Sequence, residues 1–339
     1  MAGPRGVIQG KLGVGSGVWP CYEWRPFDST FTYALPMSVL VAGTIAIDHV
    51  KTPDAEASDL LGGSASYAAL SAALLGAEAH LIGIVGHDYP QKHLDMLRNE
   101  GVLLAGVEHS DGESFSWSGE YFDDLNKRVT HRVALNVLED WQPKVPDSAR
   151  DCELVVLANM SPDNQLSVLE QCQKPSFVVA DTMDLWIEIA TARLHDVLQR
   201  IDLFVINDSE ARELAGVRNL VLAGEKLLDK GPEHVVIKLG EYGALLFGPE
   251  GFFFRCGAFP LRDVKDPTGA GDSFLGGLAG WLDGQGISKP DFEQLKRAIA
   301  YGSVAASFTC EDFSTLRLED IGREDIEARF KLFRTHSEF

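Results

Sequence analysis

From Ser38 onward the chain alternates two kinds of apolar spacing. SVLVAGTIAID (38–48), AHLIGIVG (79–86), ELVVLANM (153–160), SFVVADT (176–182), LFVIN (203–207) and HVVIKLG (234–240) are short, nearly continuous apolar runs rich in β-branched residues. That is the pattern of strands buried on both faces. Between them the apolar period becomes helical: SASYAALSAALLGA (64–77) between Gly62-Gly63 and Gly76, PQKHLDMLRNEG (90–101), 162–172, DLWIEIATARLHDVLQRI (184–201), 209–216 and 219–230. ALLFGPEGFFFRCGAF (244–259) predicts an antiparallel pair at a sheet edge, and helices over about 269–285, 291–308 and 318–334 finish the chain. Repeated βα units predict an α/β fold with a doubly wound, mostly parallel sheet and a ligand crevice at the carboxyl ends of its strands.

Two segments break this rhythm. FSWSGEYFDDLNKRVTHRVAL (115–135) alternates apolar and polar residues with period two, and His49–Leu61 is polar and non-helical. Both predict half-exposed, antiparallel strands outside the main sheet. The expected organisation is therefore one domain over 37–339 carrying a small β lid from 49–61 and 109–137. Residues 1–36, rich in Gly, Pro and aromatics without strand or helix period, read as an extension that the fold does not need.

Composition narrows the partners. The 339 residues are 45% hydrophobic and 24% charged, with a formal net charge of -20. Such acidity argues against a protein that grips nucleic acid or anionic membrane through basic patches, although a few local cations can still hold a phosphate. No run approaches the roughly 20 apolar residues of a membrane span, and no secretory apolar core stands near the start. Cys21, Cys152, Cys172, Cys256 and Cys310 lie far apart, without CxxC or zinc spacing, which fits a reducing, cytoplasmic setting.

The chemistry concentrates in DPTGAGDSFLGGLAGWL (266–282). Gly269, Ala270 and Gly271 sit where a loop becomes a helix, so backbone N–H groups and the helix dipole favour an anion there. Asp272 follows at once and can take the proton of an attacking hydroxyl. A glycine-rich helix start that only allows close packing is the competing reading of the same residues.

Here the sequence resembles the ribokinase/PfkB carbohydrate kinase family, through Asp266, Gly269, Ala270, Gly271 and Asp272 in the pattern D-x-x-G-A-G-D. Further motifs follow in order over about 38–335. The resemblance implies a ribokinase-like sandwich with a small β-sheet lid. It implies an acidic residue touching substrate hydroxyls at Asp48 and a di-glycine beside the substrate at Gly62-Gly63. It also implies an N-x-x-E motif at Asn207 and Glu210 that helps place Mg²⁺, in Glu210's case through water. Lys238, Gly240 and Gly243 would lie against the nucleotide. ATP and Mg²⁺ are the implied cofactors, with a monovalent cation and a homodimer through the lid left open. The implied activity is transfer of the γ-phosphoryl group to a hydroxyl of a small sugar.

Tyr67 and Asp181-Thr182-Met183 depart from the family pattern, where Asn and D-x-N are usual. Both lie toward the substrate half. A nucleoside acceptor therefore stays open, and the aromatic Phe115, Trp117 and Tyr121 could stack on a base or pack between subunits. Asn207 and Glu210 could equally cap the helix that follows them, and Asp48 could be a strand-end turn residue. Asn159 stands at a strand tip facing the crevice. Lys127, Arg128 and Arg132 read as solubilising charges and are left outside the site. A metabolite-binding protein of the same fold would have no use for Asp272. The lack of GxxxxGK[ST] excludes a P-loop kinase, and a Rossmann dehydrogenase is a weaker alternative because no GxGxxG follows the first strand.

Overall fold

The long apolar run at 38–48 does not form one strand. β1 (Val39–Ala42) enters the main sheet, and β2 (Ala46–Lys51) belongs to a second, smaller sheet. The break falls at Gly43-Thr44-Ile45. A Cβ at Gly43 would lie 2.8 Å from Ser64 Oγ and 3.0 Å from the Ala158 Cβ, so only a bare backbone passes between neighbouring elements here. Thr44 Oγ1 accepts from Ser64 N (3.0 Å) and Thr44 O from Ala65 N (3.1 Å), which fixes the crossing. A continuous apolar run carries no sign of such a change of sheet, because both strands are buried.

The computed structural model describes residues 37–125 and 127–337; the expected extension over 1–36 lies outside the described residues. The remaining strands are β3 (Glu56–Gly62), β4 (Ala79–Val85), β5 (Leu103–His109), β6 (Ser116–Tyr121), β7 (Arg128–Ala134), β8 (Leu154–Leu157), β9 (Phe177–Ala180), β10 (Leu203–Asn207), β11 (His234–Lys238), β12 (Ala244–Phe247) and β13 (Phe253–Cys256). Nine of the thirteen form the main sheet in the order β13-β12-β11-β10-β9-β8-β1-β4-β5. It is parallel except for β12 and β13 at one edge. The order reverses between β1 and β8, the kind of position at which open α/β sheets bind ligands.

The helices are α1 (Ser64–Leu74), α2 (Gln91–Asn99), α3 (Pro162–Gln171), α4 (Asp184–Ile189), α5 (Thr191–Leu198), α6 (Asp208–Ala215), α7 (Leu220–Leu228), α8 (Ala270–Gly284), α9 (Phe292–Thr309), α10 (Leu316–Glu319) and α11 (Arg323–Ser337). Alternate residues of each strand serve the two faces. Val39 and Val41 join the core with α1, α8 and α9, while Leu40 and Ala42 join the core with α3, α5 and α7. The later glycines of α8 make its contact with α1: a Cβ at Gly276 would lie 2.0 Å from Ala68 O, and one at Gly280 2.6 Å from Ala72 Cα. The close-packing reading of the glycine-rich segment therefore applies to Gly276 and Gly280.

The small sheet runs β3-β2-β6-β7. β2 pairs with β6 in parallel, not antiparallel as period-two alternation suggests, because the chain crosses the main domain between them. β5 is a main-sheet strand the sequence reading did not separate from the segment beginning at 109. The helices expected over 184–201 and 318–334 are each interrupted, at Ala190 and around Ile321-Gly322. Among the described residues no helix is long and apolar enough to cross a membrane.

Candidate active site

The candidate residues gather at the carboxyl ends of β9, β10 and β11, at the start of α8 and on the small sheet. Lys238 ends β11, and its Nζ donates to Asp181 Oδ2 across the end of β9 at 3.0 Å. The pair is largely buried, with side chains 19% and 6% exposed. A Cβ on Gly271 would lie 3.0 Å from the same Nζ, so the ammonium group sits directly over the turn that begins α8. Burial works against the charged lysine, yet Asp181, Glu210 and Asp272 together hold its pKa above the ordinary lysine range.

Gly269 caps α8 with φ 78°, and a Cβ there would lie 2.4 Å from the Tyr67 ring. Glycine is thus required twice, for the left-handed backbone and for the ring. The N–H of Ala270 is drawn back to Pro267 O (3.2 Å). The anion cradle expected from three residues accordingly narrows to the amides of Gly271 and Asp272. Asp272 is the third residue of the helix, and its carboxyl is pushed up to about 7 by burial and by Asp181, against the pull of Lys238 and Arg128. A group with that pKa can hold or release a proton near neutrality.

Asp266 anchors the loop. It is fully buried, accepting from Thr268 N (2.9 Å) and Ser314 N (3.4 Å). Ser314 in turn donates to Leu61 O (2.5 Å), tying this loop to the end of β3.

Asp48 lies within β2 and not at the end of a main-sheet strand; it is 5% exposed. Its carboxylate packs on Gly62, where a Cβ would come 2.1 Å from Asp48 Cγ. Burial, then the charges of Asp266 and Asp272, push it up to about 8 against the opposing field of Arg128. Gly63, at φ 90°, begins α1 in close contact with Thr44 O.

Asn207 and Glu210 form a complete capping box on α6. Asn207 Oδ1 accepts from Glu210 N (2.9 Å), and Glu210 Oε2 accepts from Asn207 N (3.0 Å). Capping alone does not explain why Glu210 is 7% exposed, with a carboxyl pushed up to about 7 by burial and Asp181. Gly240 and Gly243 bound the 3₁₀ turn after β11, closed by Leu239 N donating to Gly243 O (2.7 Å). Among the described residues no group of three His, Cys, Asp or Glu side chains is placed to hold a metal ion by itself. Glu210, a hard oxygen donor whose ionisation a cation would favour, fits Mg²⁺ held chiefly by phosphates and water.

Several site residues escaped the sequence reading. Asp181 is one, though an acid at the carboxyl end of a buried strand is a readable signal. Arg128 is another: it had been set aside as a solubilising charge, and it is exposed, yet its charge pulls down both Asp48 and Asp272. Tyr67 is fully buried, its ring against Gly269. Tyr121 reaches the loop, where Thr268 Oγ1 donates to its hydroxyl (3.2 Å). Asn159 is engaged locally, accepting from Trp186 Nε1 (2.9 Å) and donating to Met183 Sδ (3.2 Å).

Sequence comparison identifies the chain as a phosphotransferase with a hydroxyl group as acceptor. The pfkB family carbohydrate kinase profile matches residues 38–320. The chain belongs to that family. Among its relatives, a cytidine kinase of Thermococcus kodakarensis is 29% identical over 261 residues, 75% of this chain and 91% of the relative. A ribokinase of Haemophilus influenzae is 26% identical over 264 residues, 73% and 80% of the two chains. In fold it is similar to the nucleoside kinase of Burkholderia thailandensis in complex with ADP-inosine, with TM-score 0.71, 19% identity, and coverage of 87% of this chain and 95% of that one.

Proposed function

We propose that the protein transfers the γ-phosphoryl group of ATP to a hydroxyl of a small sugar ring, with Asp272 as the base. The observation that carries this reading is the juxtaposition of Asp272, Gly271 and the Lys238 ammonium group at one helix start. In the reaction the acceptor oxygen approaches phosphorus while its proton passes to Asp272. The amides of Gly271 and Asp272, with Lys238, favour the charge gathering on the phosphoryl oxygens. Asp181 holds Lys238 in place. Bound Mg²⁺ would neutralise phosphate charge, with Glu210 orienting its water. Asp48, braced on Gly62, receives ring hydroxyls, and the small sheet acts as a lid that excludes water.

A nucleoside acceptor is the second reading, favoured by one feature. Trp117 pairs directly with Asp48 across β2 and β6, so an indole stands beside the carboxylate that would hold the ribose. ADP release measured over free pentoses, hexoses and nucleosides tests both readings. A sugar should give the highest kcat/KM. A nucleoside preference that drops about fivefold or more in Trp117→Ala, the worth of one stacked ring, would establish the second reading instead. No turnover with any hydroxyl acceptor would refute both.

A further inference from the structure

We propose that Arg128 is a charge-neutralising residue of the phosphoryl transfer, carried to the reaction by the small sheet and aimed by Tyr121. The inference rests on the kinase reading above and assigns a part to a residue outside the matched motifs.

The geometry begins with strand register. Tyr121 and Arg128 are partners across β6 and β7, and Tyr121 supports the charged guanidinium against the cost of its desolvation. The Tyr121 hydroxyl accepts from Thr268 Oγ1 at 3.2 Å, and Thr268 directly precedes Gly269. A strand pairing and one hydrogen bond thus link Arg128, through Tyr121, to the loop that leads into α8. On its other side the guanidinium stands 5.9 Å from the centroid of the Trp117 ring, which restricts where it can swing. Tyr121 is 6% exposed and packs with Val50 and Phe313, so the tether is held rigidly.

The electrostatics point the same way. Asp48 on β2 and Asp272 on α8 both feel Arg128, and Arg128 feels Asp184 on α4 and Glu210 on α6. Arg128 thus acts on the acceptor-side acid and on the base together, as a cation beside the reacting groups would. The site also needs positive charge. Asp181, Glu210 and Asp272 all act on Lys238, and ATP adds several negative charges.

In the step itself, a bond forms from the acceptor oxygen to the γ-phosphorus as the bond to the β,γ-bridging oxygen breaks, its electron pair leaving with ADP. The hydroxyl proton goes to Asp272. Arg128 keeps its protons and balances charge on the equatorial oxygens. A fork of N–H donors suits that task better than a point charge. The competing role is mechanical, with Arg128 serving only to brace Trp117 in the small sheet.

The test compares Arg128→Met, Arg128→Lys and Tyr121→Phe with the wild type on the same acceptor, after thermal melting has confirmed that each is folded. The expected result for Arg128→Met is a kcat loss of about 100-fold or more, the size of losing one transition-state donor, with KM for ATP changed far less. Lys should restore part of the rate, and Tyr121→Phe should lose an intermediate amount. Asp272 faces Asp181 from β9, Lys238 from β11 and Arg128 from β7, and is itself felt by Asp48 and by Tyr67 of α1. Removing Arg128 leaves Lys238 as the opposing cation, so the acid limb of kcat/KM should move to higher pH by roughly half a unit or more. Added guanidinium ion should relieve part of the defect. The inference is overturned by a kcat within about threefold of wild type, or by a loss that neither moves the acid limb nor responds to guanidinium. Asp272→Asn tests the kinase reading separately, so failure of one is distinguishable from failure of the other.

Discussion

Replacing Asp48 by Asn should make the ligand-free protein more stable at neutral and alkaline pH while weakening acceptor binding. Asp48 is 5% exposed and lies on Gly62, and its pKa moves from 3.8 to about 8 on folding. Below pH 4 both folded and unfolded chains keep the proton, and the group costs nothing. Between pH 4 and 8 the unfolded chain releases it and the folded chain holds it, so stability falls as pH rises; above 8 the full cost applies. A displacement of about 4 pKa units corresponds to roughly 5 to 6 kcal/mol. An Asn amide buried in the same place with imperfect partners returns about 1 to 3 kcal/mol of that. The net expectation is a gain of roughly 2 to 5 kcal/mol at pH 8, shrinking toward zero or below at pH 4. Urea unfolding of both proteins at pH 4, 6 and 8, without ligands, measures it. Equal stability at pH 8, or a difference that does not change with pH, would refute the reasoning. The gain should come with a raised KM for the acceptor, because a carboxylate held at such cost is retained for what it binds.

Three further outcomes follow from the same geometry. Gly269→Ala should destabilise by about 2 to 4 kcal/mol, since φ 78° is costly for alanine and the new Cβ meets the buried Tyr67 ring; thermal unfolding and kcat should both report it. Glu210→Gln should keep the capping contact and, because burial raises the Glu210 carboxyl, should lose no stability at neutral or alkaline pH, while raising the Mg²⁺ concentration for half-maximal rate; an unchanged Mg²⁺ titration would reduce Glu210 to a helix cap. In the wild type, kcat/KM should decline as pH falls through about 7, where the Asp272 carboxyl of the free enzyme gains a proton and can no longer accept one; a flat profile down to pH 5 would exclude Asp272 as base.

The parts of the site readable from sequence are those in which neighbours in the chain act together. Gly269 to Asp272 and Asn207 to Glu210 are one turn each, and their roles follow from where a helix begins. The parallel strands ending in Asn207 and Lys238 were readable from unbroken β-branched runs. What escaped depends on topology. Asp181 meets Lys238 only because β9, β10 and β11 lie side by side, and Arg128 reaches the site only because β6 and β7 join a sheet begun by β2. The move from β1 to β2 was hidden because the apolar run continues through it from Val39 to Ile47. Tyr67 could be noticed as unusual in the resemblance, but its ring beneath Gly269 is a fact of helix placement.

The central claim is that Asp272 takes the proton of the attacking hydroxyl. The direct measurement is single-turnover phosphoryl transfer by Asp272→Asn on the acceptor that the wild type uses best, alongside the ATP dissociation constant of the same variant. The expected result is a transfer rate lower by about 10² to 10⁴ with ATP affinity within a few-fold of wild type. Near-normal transfer, or a loss matched by an equal loss of ATP affinity, would contradict it.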